Sequence, residues 1–210
     1  MKPQQKSAYH HGDLKEALVE ATREIIESEG LDQFTMRESA RRAGVSHGAP
    51  AHHFGDKTGL LTELAVQSFE ARVAQSEAYM AEAGDDPMAR LRACGLAHID
   101  YTIRHPRLHE LCSRPDMTNR DDPHLQAVIT RMSEMLIATM SEVAGHELKP
   151  EKEANPETLL ALVVVHGFAA LVNDGMILAD VPDAERPARA RVLAEGVMGL
   201  LEKAFRAPRE

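Results

Sequence analysis

The sequence predicts an all-α protein of about nine helices, and three observations carry that prediction. Aromatic residues make up only 4% of the 210 positions while Ala, Leu, Met and Glu are plentiful, a balance that favours helix over strand. Apolar residues return at helical spacing, as in Leu14, Leu18, Ala21 and Ile25, which puts them on one face. A capping residue precedes proline three times, at Asp86-Pro87, Asp122-Pro123 and Asn155-Pro156. Proline at the first helical position loses only an N–H that has no partner there. Strand-like alternation and internal repeats are absent from the sequence.

In chain order, Met1–Tyr9 is polar and expected to be mobile. The first helix starts near Gly12-Asp13 and stops at Gly30. The second spans about Met36 to Ala43, with Thr35 as its N-cap and Glu38 three residues on as a capping-box partner. The third runs from about His47 to His53. Pro50 falls in its first turn, where the N–H groups have no partner to lose. Asp56 caps a long fourth helix from Lys57 towards Met80. Further helices follow at about Pro87–His105, Arg107–Cys112, Pro123–Glu147, Pro156–Ala179 and Ala184–Ala207. The expected organisation is a three-helix N-terminal domain at 1–60 joined to a larger helical domain at 61–210.

The turn between the second and third helices, Ala43-Gly44-Val45-Ser46, is the most informative stretch. Gly44 adopts positive φ without a Cβ penalty, as suits the residue just past a helix end. Ser46 offers an oxygen to the first N–H groups of the next helix. Ala40 and Val45 are small enough for two helices to cross closely, and Phe34 and Phe54 would close the underside. This is a helix-turn-helix pattern, in which the second helix reads base edges in DNA. Thr35, Ala40, Ala43-Gly44-Val45-Ser46, His53-Phe54 and Lys57 stand in the order and spacing of the TetR family of bacterial transcriptional regulators, which this segment resembles. Tyr9-His10-His11-Gly12-Asp13-Leu14, His166-Gly167 and Asp174-Gly175 resemble the subgroup with a WHG-type C-terminal domain, without its tryptophan. Two positions depart from the family pattern. Ala51 replaces a usual tyrosine, which removes an expected phosphate contact, and Ser39 replaces a β-branched residue, which is expected to weaken the local core.

Charge and composition set bounds on function. The chain carries a net charge of −9, yet residues 1–60 hold eight Lys/Arg against nine Asp/Glu, with five histidines besides. Most of the acid therefore lies elsewhere, and the N-terminal part can still hold a patch that meets a few phosphates. Cys94 and Cys112 do not make a disulfide framework, which points to a reducing compartment. No apolar signal core follows the N-terminal charges. The apolar run Leu159–Val172 is interrupted by His166 and is shorter than the ~18–20 residues that span a bilayer. The expectation is a cytoplasmic protein with no membrane partner and no cofactor. Nucleophile elbow, phosphate-binding glycine loop and metal-hydrolase motifs are all missing, so an enzyme is not expected.

The expected partners are a double-stranded DNA operator, a second copy of the chain and an unidentified small-molecule effector. At the DNA, His47, Gly48, Ala49 and His52 occupy the start and outer face of the third helix, where base edges lie. Thr35, Arg37 and Lys57 stand at helix starts facing phosphates, and the Ser46 hydroxyl is in reach of them too. His53 either joins them or packs on Phe54. Lys2 and Lys6 are available to trail along the duplex, while Arg41 and Arg42 read equally well as surface charges. A helical protein-interaction module that binds no DNA is the reading from another class.

Leu162, Val165, Phe168, Ala169 and Val172, with Val197, Leu200 and Leu201 on the last helix, form apolar stripes read either as core or as a dimer face. The family resemblance implies the dimer, because such regulators pair their last two long helices into a four-helix interface. It also implies repression, with release when an effector binds. His98, Tyr101, His105, Met132, Met135, His166 and Asn173 mix polar and polarizable groups among aliphatics, as an effector pocket does; core packing accounts for them as well. A rival reading is a metal-sensing face of Cys94, His98, His105, His109 and Cys112 at helical spacing.

Overall fold

The computed structural model describes residues 11–148 and 156–206. Lys2, Lys6, Tyr9, His10 and the cap Asn155 lie outside the described residues. Among the described residues there are nine α-helices, one 3-10 turn and no strand. The helices are α1 (His11–Glu29), α2 (Met36–Arg42), α3 (Ala49–Phe54), α4 (Lys57–Glu82), α5 (Pro87–Arg104), α6 (Pro106–Ser113), α7 (Pro123–Ala144), α8 (Pro156–Asn173) and α9 (Arg186–Arg206), with the 3-10 turn at Leu31–Gln33.

Packing divides the chain into two compact units: residues up to Gln67 together with Arg107–Leu125, and Ser68–Pro106 with residues from Gln126 onward. The division expected at residue 60 thus differs in two respects. The first unit keeps another two turns of α4, and it reclaims α6 and the loop after it. Leu108 and Leu111 on α6 are fully buried there, as are Leu18, Ile25, Ile26, Phe34, Leu60, Leu61 and Leu64. The loop is tied in by the Asn119 N–H, which donates to the Thr62 hydroxyl at 2.8 Å.

The second unit packs α5 against α8 and α9. Its core joins Leu91, Leu96 and Ile99 of α5 to Val165, Phe168 and Val172 of α8 and to Ala194, Met198 and Leu201 of α9. Each large side chain buried this way contributes about 1.5–3 kcal/mol. Gly95 marks the closest approach, because a Cβ there would sit 2.5 Å from Met198 Cε and 3.2 Å from Val165 Cγ1. Buried Asp100 accepts two hydrogen bonds at Oδ2, from the Tyr79 hydroxyl at 2.6 Å and from the Arg191 guanidinium at 3.0 Å. The hydrogen bond to Asp100, and then burial, push the Tyr79 phenol above its ordinary value.

Helix ends follow local chemistry. Asp86 accepts from Ala89 N at 3.1 Å, and Asp122 accepts from His124 N and Leu125 N. α8 ends at Asn173 rather than Ala179, because Gly175 (φ +68°) reverses the chain there. The Met176 N–H returns to Leu171 O at 2.9 Å and the Gly175 N–H to Val172 O at 3.1 Å, the paired bonds of a Schellman ending. α7 likewise stops at Ala144 rather than Glu147, before Gly145 at φ +73°. With Pro156 and Asn173 at its ends, α8 has 18 residues of mean hydropathy 1.5, so by length and composition alone it could cross a membrane. One third of α8 is buried, on the side facing α5 and α9.

Candidate nucleic-acid interface and cavity

The N-terminal site is built by its turns. Thr35 caps α2 as expected, its hydroxyl accepting from Glu38 N at 3.1 Å. Glu38 does not complete the reciprocal box. Its carboxylate instead takes Arg41 at 2.6 Å and Arg42 at 2.9 Å; these hydrogen bonds, Arg41 first, hold it down to about 2. Arg42 also pairs with Glu29, so both arginines are bound to carboxylates of their own chain. At the far end of α2, Gly44 lies at φ +68°. The Val45 N–H returns to Ala40 O at 2.9 Å and the Gly44 N–H to Arg41 O at 3.2 Å, a second Schellman ending.

Ser46 does not cap α3. The cap position is Gly48, without a side-chain bond, and the helix begins at Ala49 rather than His47. The Ala49 N–H donates to Ser46 O at 3.0 Å, so Ser46 contributes its carbonyl to an intervening turn and leaves its hydroxyl outward. Pro50 alone on α3 is buried and anchors it. Ser46, His47, Gly48, Ala51 and His52 are exposed, and Ala49 and His53 are half-buried. The His53 ring lies 5.3 Å from His52 and 6.3 Å from Phe54, between the two alternatives expected for it.

The α3–α4 junction is a tight γ-turn. Gly55 sits at φ 79°, ψ −69°, and the Asp56 N–H donates to Phe54 O at 3.0 Å. Asp56 then caps α4 by accepting from Gly59 N at 2.8 Å. A Cβ on Gly59 would lie 2.0 Å from Phe54 O, so only glycine allows this approach. Lys57 is exposed, its Nζ 5.3 Å from the centre of the Phe34 ring. Thr35 and Arg37 are exposed at the start of α2. Ser39 is held in the core by hydrogen bonds. It is fully buried with its hydroxyl 3.0 Å from that of Thr22, and Leu18 O and Thr35 O serve as backbone acceptors.

The C-terminal unit contains a cavity of about 250 Å³, lined by Arg72, Ser76, Cys94, His98, His166 and a wall of aliphatic and methionine side chains. Of the expected pocket residues, His98, Met132, Met135 and His166 line it. Tyr101, His105 and Asn173 do not. Tyr101 is buried and its ring lies against His105 at 4.8 Å; His105 ends α5; Asn173 donates to Thr102 O at 3.2 Å. Arg72 went unread in the sequence, although its spacing from Leu61, Ala65 and Ser68 puts a charge on the buried stripe of α4.

The expected dimer residues also divide. Val165, Phe168, Ala169, Val172 and Leu201 are buried inside the subunit, and Leu162 and Val165 line the cavity. Val197 is half-buried and Leu200 is 65% exposed. The exposed apolar face instead consists of Leu159, Leu160, Val163 and Leu171 on α8 and Val192, Leu193 and Leu200 on α9. The metal reading fails because its single face does not exist. His105 leaves the helix at φ −127°, ψ 56° before Pro106, so Cys94 and His98 are on α5 whereas His109 and Cys112 are on a separate helix in the other unit. No group of three or more His, Cys, Asp or Glu suited to a metal ion occurs among the described residues.

Comparison with known proteins bears on what this arrangement is. The family model described as "Bacterial regulatory proteins, tetR family" matches residues 15–64, the whole turn region. The one described as "Tetracyclin repressor-like, C-terminal domain" matches 91–197, about half of the chain. The chain belongs to the TetR family. That family is one of regulatory proteins, not of enzymes.

Among curated relatives, the HTH-type transcriptional regulator BetI of Stenotrophomonas maltophilia (strain R551-3) is 40% identical over 79 residues, 38% of this chain and 40% of that protein. BetI of Burkholderia thailandensis is 39% identical over 85 residues, 40% of this chain and 44% of that protein. The match therefore spans less than half the length of these relatives. Among solved TetR-like folds, a protein of unknown function from Rhodococcus sp. RHA1 is 27% identical, covering 91% of this chain and 98% of that one with a TM-score of 0.69. The TetR family regulator PfmR of Thermus thermophilus, 19% identical, covers 92% and 96% with a TM-score of 0.64, and shares the fold.

Proposed function

We propose that this TetR-family chain is a DNA-binding transcriptional repressor: a homodimer that holds a palindromic operator and releases it when a small molecule fills the C-terminal cavity. Residues 1–60 do the binding and 61–210 the dimerisation and regulation, in the cytoplasm where the DNA is. The observation that supports this best is the outward run of Ser46, His47, Gly48, Ala51 and His52 around an α3 whose one fully buried residue is Pro50. In this reading α3 enters the major groove. His47 and His52 offer ring nitrogens to base edges, while Gly48 and Ala49 permit close approach and contact with thymine methyls. His53 flanks them. Thr35, Arg37, Ser46 and Lys57 meet phosphates on either side.

The exposed apolar residues of α8 and α9 support a twofold pairing of those helices. Gly167, Gly196 and Gly199 have no atom within 4 Å of where a Cβ would stand, so a second copy can approach closely there. An isologous dimer presents two α3 helices to half-sites a helical turn apart. α4 starts beside α3 and carries Arg72 and Ser76 to the cavity. A ligand acts by binding the DNA-competent and incompetent states unequally.

The test is selection of bound fragments from genomic DNA, followed by affinity measurement as salt rises. With Arg37 and Lys57 of both protomers on phosphates, the logarithmic slope is expected to be about −3 to −4. Failure to enrich any fragment, or affinity indifferent to salt, defeats the DNA reading. A monomer mass by light scattering at micromolar concentration ends the homodimer.

A further inference from the structure

The cavity has one chemically distinct end. Arg72 is buried, with its guanidinium carbon 5.3 Å from the Phe69 ring centre and 6.0 Å from that of Tyr101. The two rings fix it in position. Its Nη2 lies 2.9 Å from His98 Nδ1. A guanidinium only donates, so His98 Nδ1 must carry a lone pair, and the imidazole is neutral with its proton on Nε2. His166 packs edge-on against His98 at 4.3 Å. Burial, and then the charge of Arg72, pull His166 below its ordinary value, while burial pushes the Cys94 thiol up. Near neutral pH, Arg72 therefore supplies the charge at this end. Among the described residues that line the cavity none is acidic, and the Asp100 carboxylate accepts from Tyr79 and Arg191.

A cation removed from water attracts an anion far more strongly than one on the surface does. Guanidinium geometry suits a carboxylate, which accepts two parallel N–H bonds. The remaining wall, including Leu91, Met132, Leu136, Ile137 and Met198, offers dispersion contacts to an apolar body. Size follows from volume: at the ~30 Å³ that a water-sized group occupies in a liquid, 250 Å³ admits about eight such groups.

We propose that the cavity takes a small monocarboxylic acid of about eight non-hydrogen atoms, apolar apart from its carboxylate and seated head-first against Arg72. This names the effector class and rests on the cavity being the effector site. Ser76 and His98 line the same cavity and add polar groups to it.

The experiment is calorimetric titration of the full-length protein, without DNA, with hexanoate, benzoate, 1-hexanol and hexylammonium. Saturable binding of hexanoate or benzoate is expected, about tenfold or more tighter than hexanol, as one charge-assisted hydrogen-bonded contact supplies. Hexylammonium should not bind. Arg72→Gln should lose about that same factor for the acids and leave hexanol unchanged. Ala161→Leu fills the cavity without touching its charge and should weaken acids and alcohol together.

Acids no tighter than hexanol, a preference for hexylammonium, no binding of any probe, or acid affinity unchanged in a folded Arg72→Gln each overturn the proposal. If circular dichroism shows Arg72→Gln unfolded, the acid–alcohol comparison on the wild type and on Ala161→Leu decides. A protein that selects DNA fragments yet takes no acid loses only this inference. One that takes the acids but selects no DNA loses the repressor reading instead.

Discussion

Gly59→Ala is the most informative single change in the N-terminal unit, because its cost can be worked from one distance. A glycine in a helix normally gains about 0.5–1 kcal/mol on becoming alanine. At position 59 the new methyl would lie 2.0 Å from Phe54 O. Relieving that contact to an ordinary separation requires a movement of more than an ångström, and Phe54 O has little room to give. It belongs to the last residue of α3 and accepts the Asp56 N–H across the γ-turn at Gly55. Overpacking of this kind costs about 1–3 kcal/mol, so the expected net loss is about 1–2 kcal/mol, opposite in sign to the usual substitution. Urea unfolding followed by far-ultraviolet circular dichroism reads it. Titration of a selected DNA fragment should show weakened binding, since the displaced atom ends the helix proposed to read bases. Stability equal to or above that of the wild type would refute the reasoning outright.

Four other outcomes follow from the same structure. Thr35→Ala removes the hydroxyl that accepts from Glu38 N and should cost about 1 kcal/mol in the same unfolding assay; no loss means the cap is not holding α2. Lys57→Gln, at an exposed residue, removes the phosphate contact proposed for it, two in the proposed dimer, and should reduce the magnitude of the salt slope by about two, whereas an unaltered slope takes Lys57 off the DNA. The double change Val163→Glu with Leu200→Glu puts charge on residues that are 59% and 65% exposed; light scattering should report a monomer of unchanged helicity, and a persistent dimer places the interface elsewhere. His166, lowered from 6.5 by burial and then by Arg72, binds fewer protons folded than unfolded. Acid therefore favours unfolding: stability is full above 6.5 and falls as pH drops through that value. Thermal melts at descending pH should show a smaller loss in His166→Gln than in the wild type, and equal losses in both would contradict the shift.

What could be read from the sequence was what is decided within a few residues. The Thr35 and Asp56 caps, the positive φ of Gly44 and the proline starts depend on local hydrogen bonding, so composition at one position sufficed. Facing was harder. Helix α8 is apolar on several sides, so its sequence offers no phase, and Val165, Phe168 and Val172 were as plausible outward as inward. Only the packing of α5 against them, made close by Gly95, sorts the buried face from Leu159, Val163 and Leu171. The rival metal face is divided by a local signal. A residue before proline is driven out of the helical region, so Pro106 already separated His105 from His109. Ser39 lacks the β-branched side chain usual at its position, and the hydroxyl it brings instead finds a partner that no neighbour in sequence reveals. Its partner Thr22, seventeen residues away, satisfies it.

Arg72 illustrates the limit of reading polarity one residue at a time. Alone on the buried stripe of α4 it would be a costly charge, and by composition it counts merely as one of the basic residues. Phe69 is on the preceding turn of the same helix, while Tyr101 and His98 come from α5. No window short enough for periodicity contains all four. The charge is tolerable because aromatic faces and a neutral imidazole partly replace its water, and that same environment makes it discriminating toward whatever enters the cavity. Arg72 and Gly59 lie on one continuous helix, so the group proposed to sense the effector and the group that fixes the end of α3 share a backbone. A ligand that changes the position of Arg72 must therefore do work on α4, and the proposed regulation requires only that this work differ between the two states of the protein.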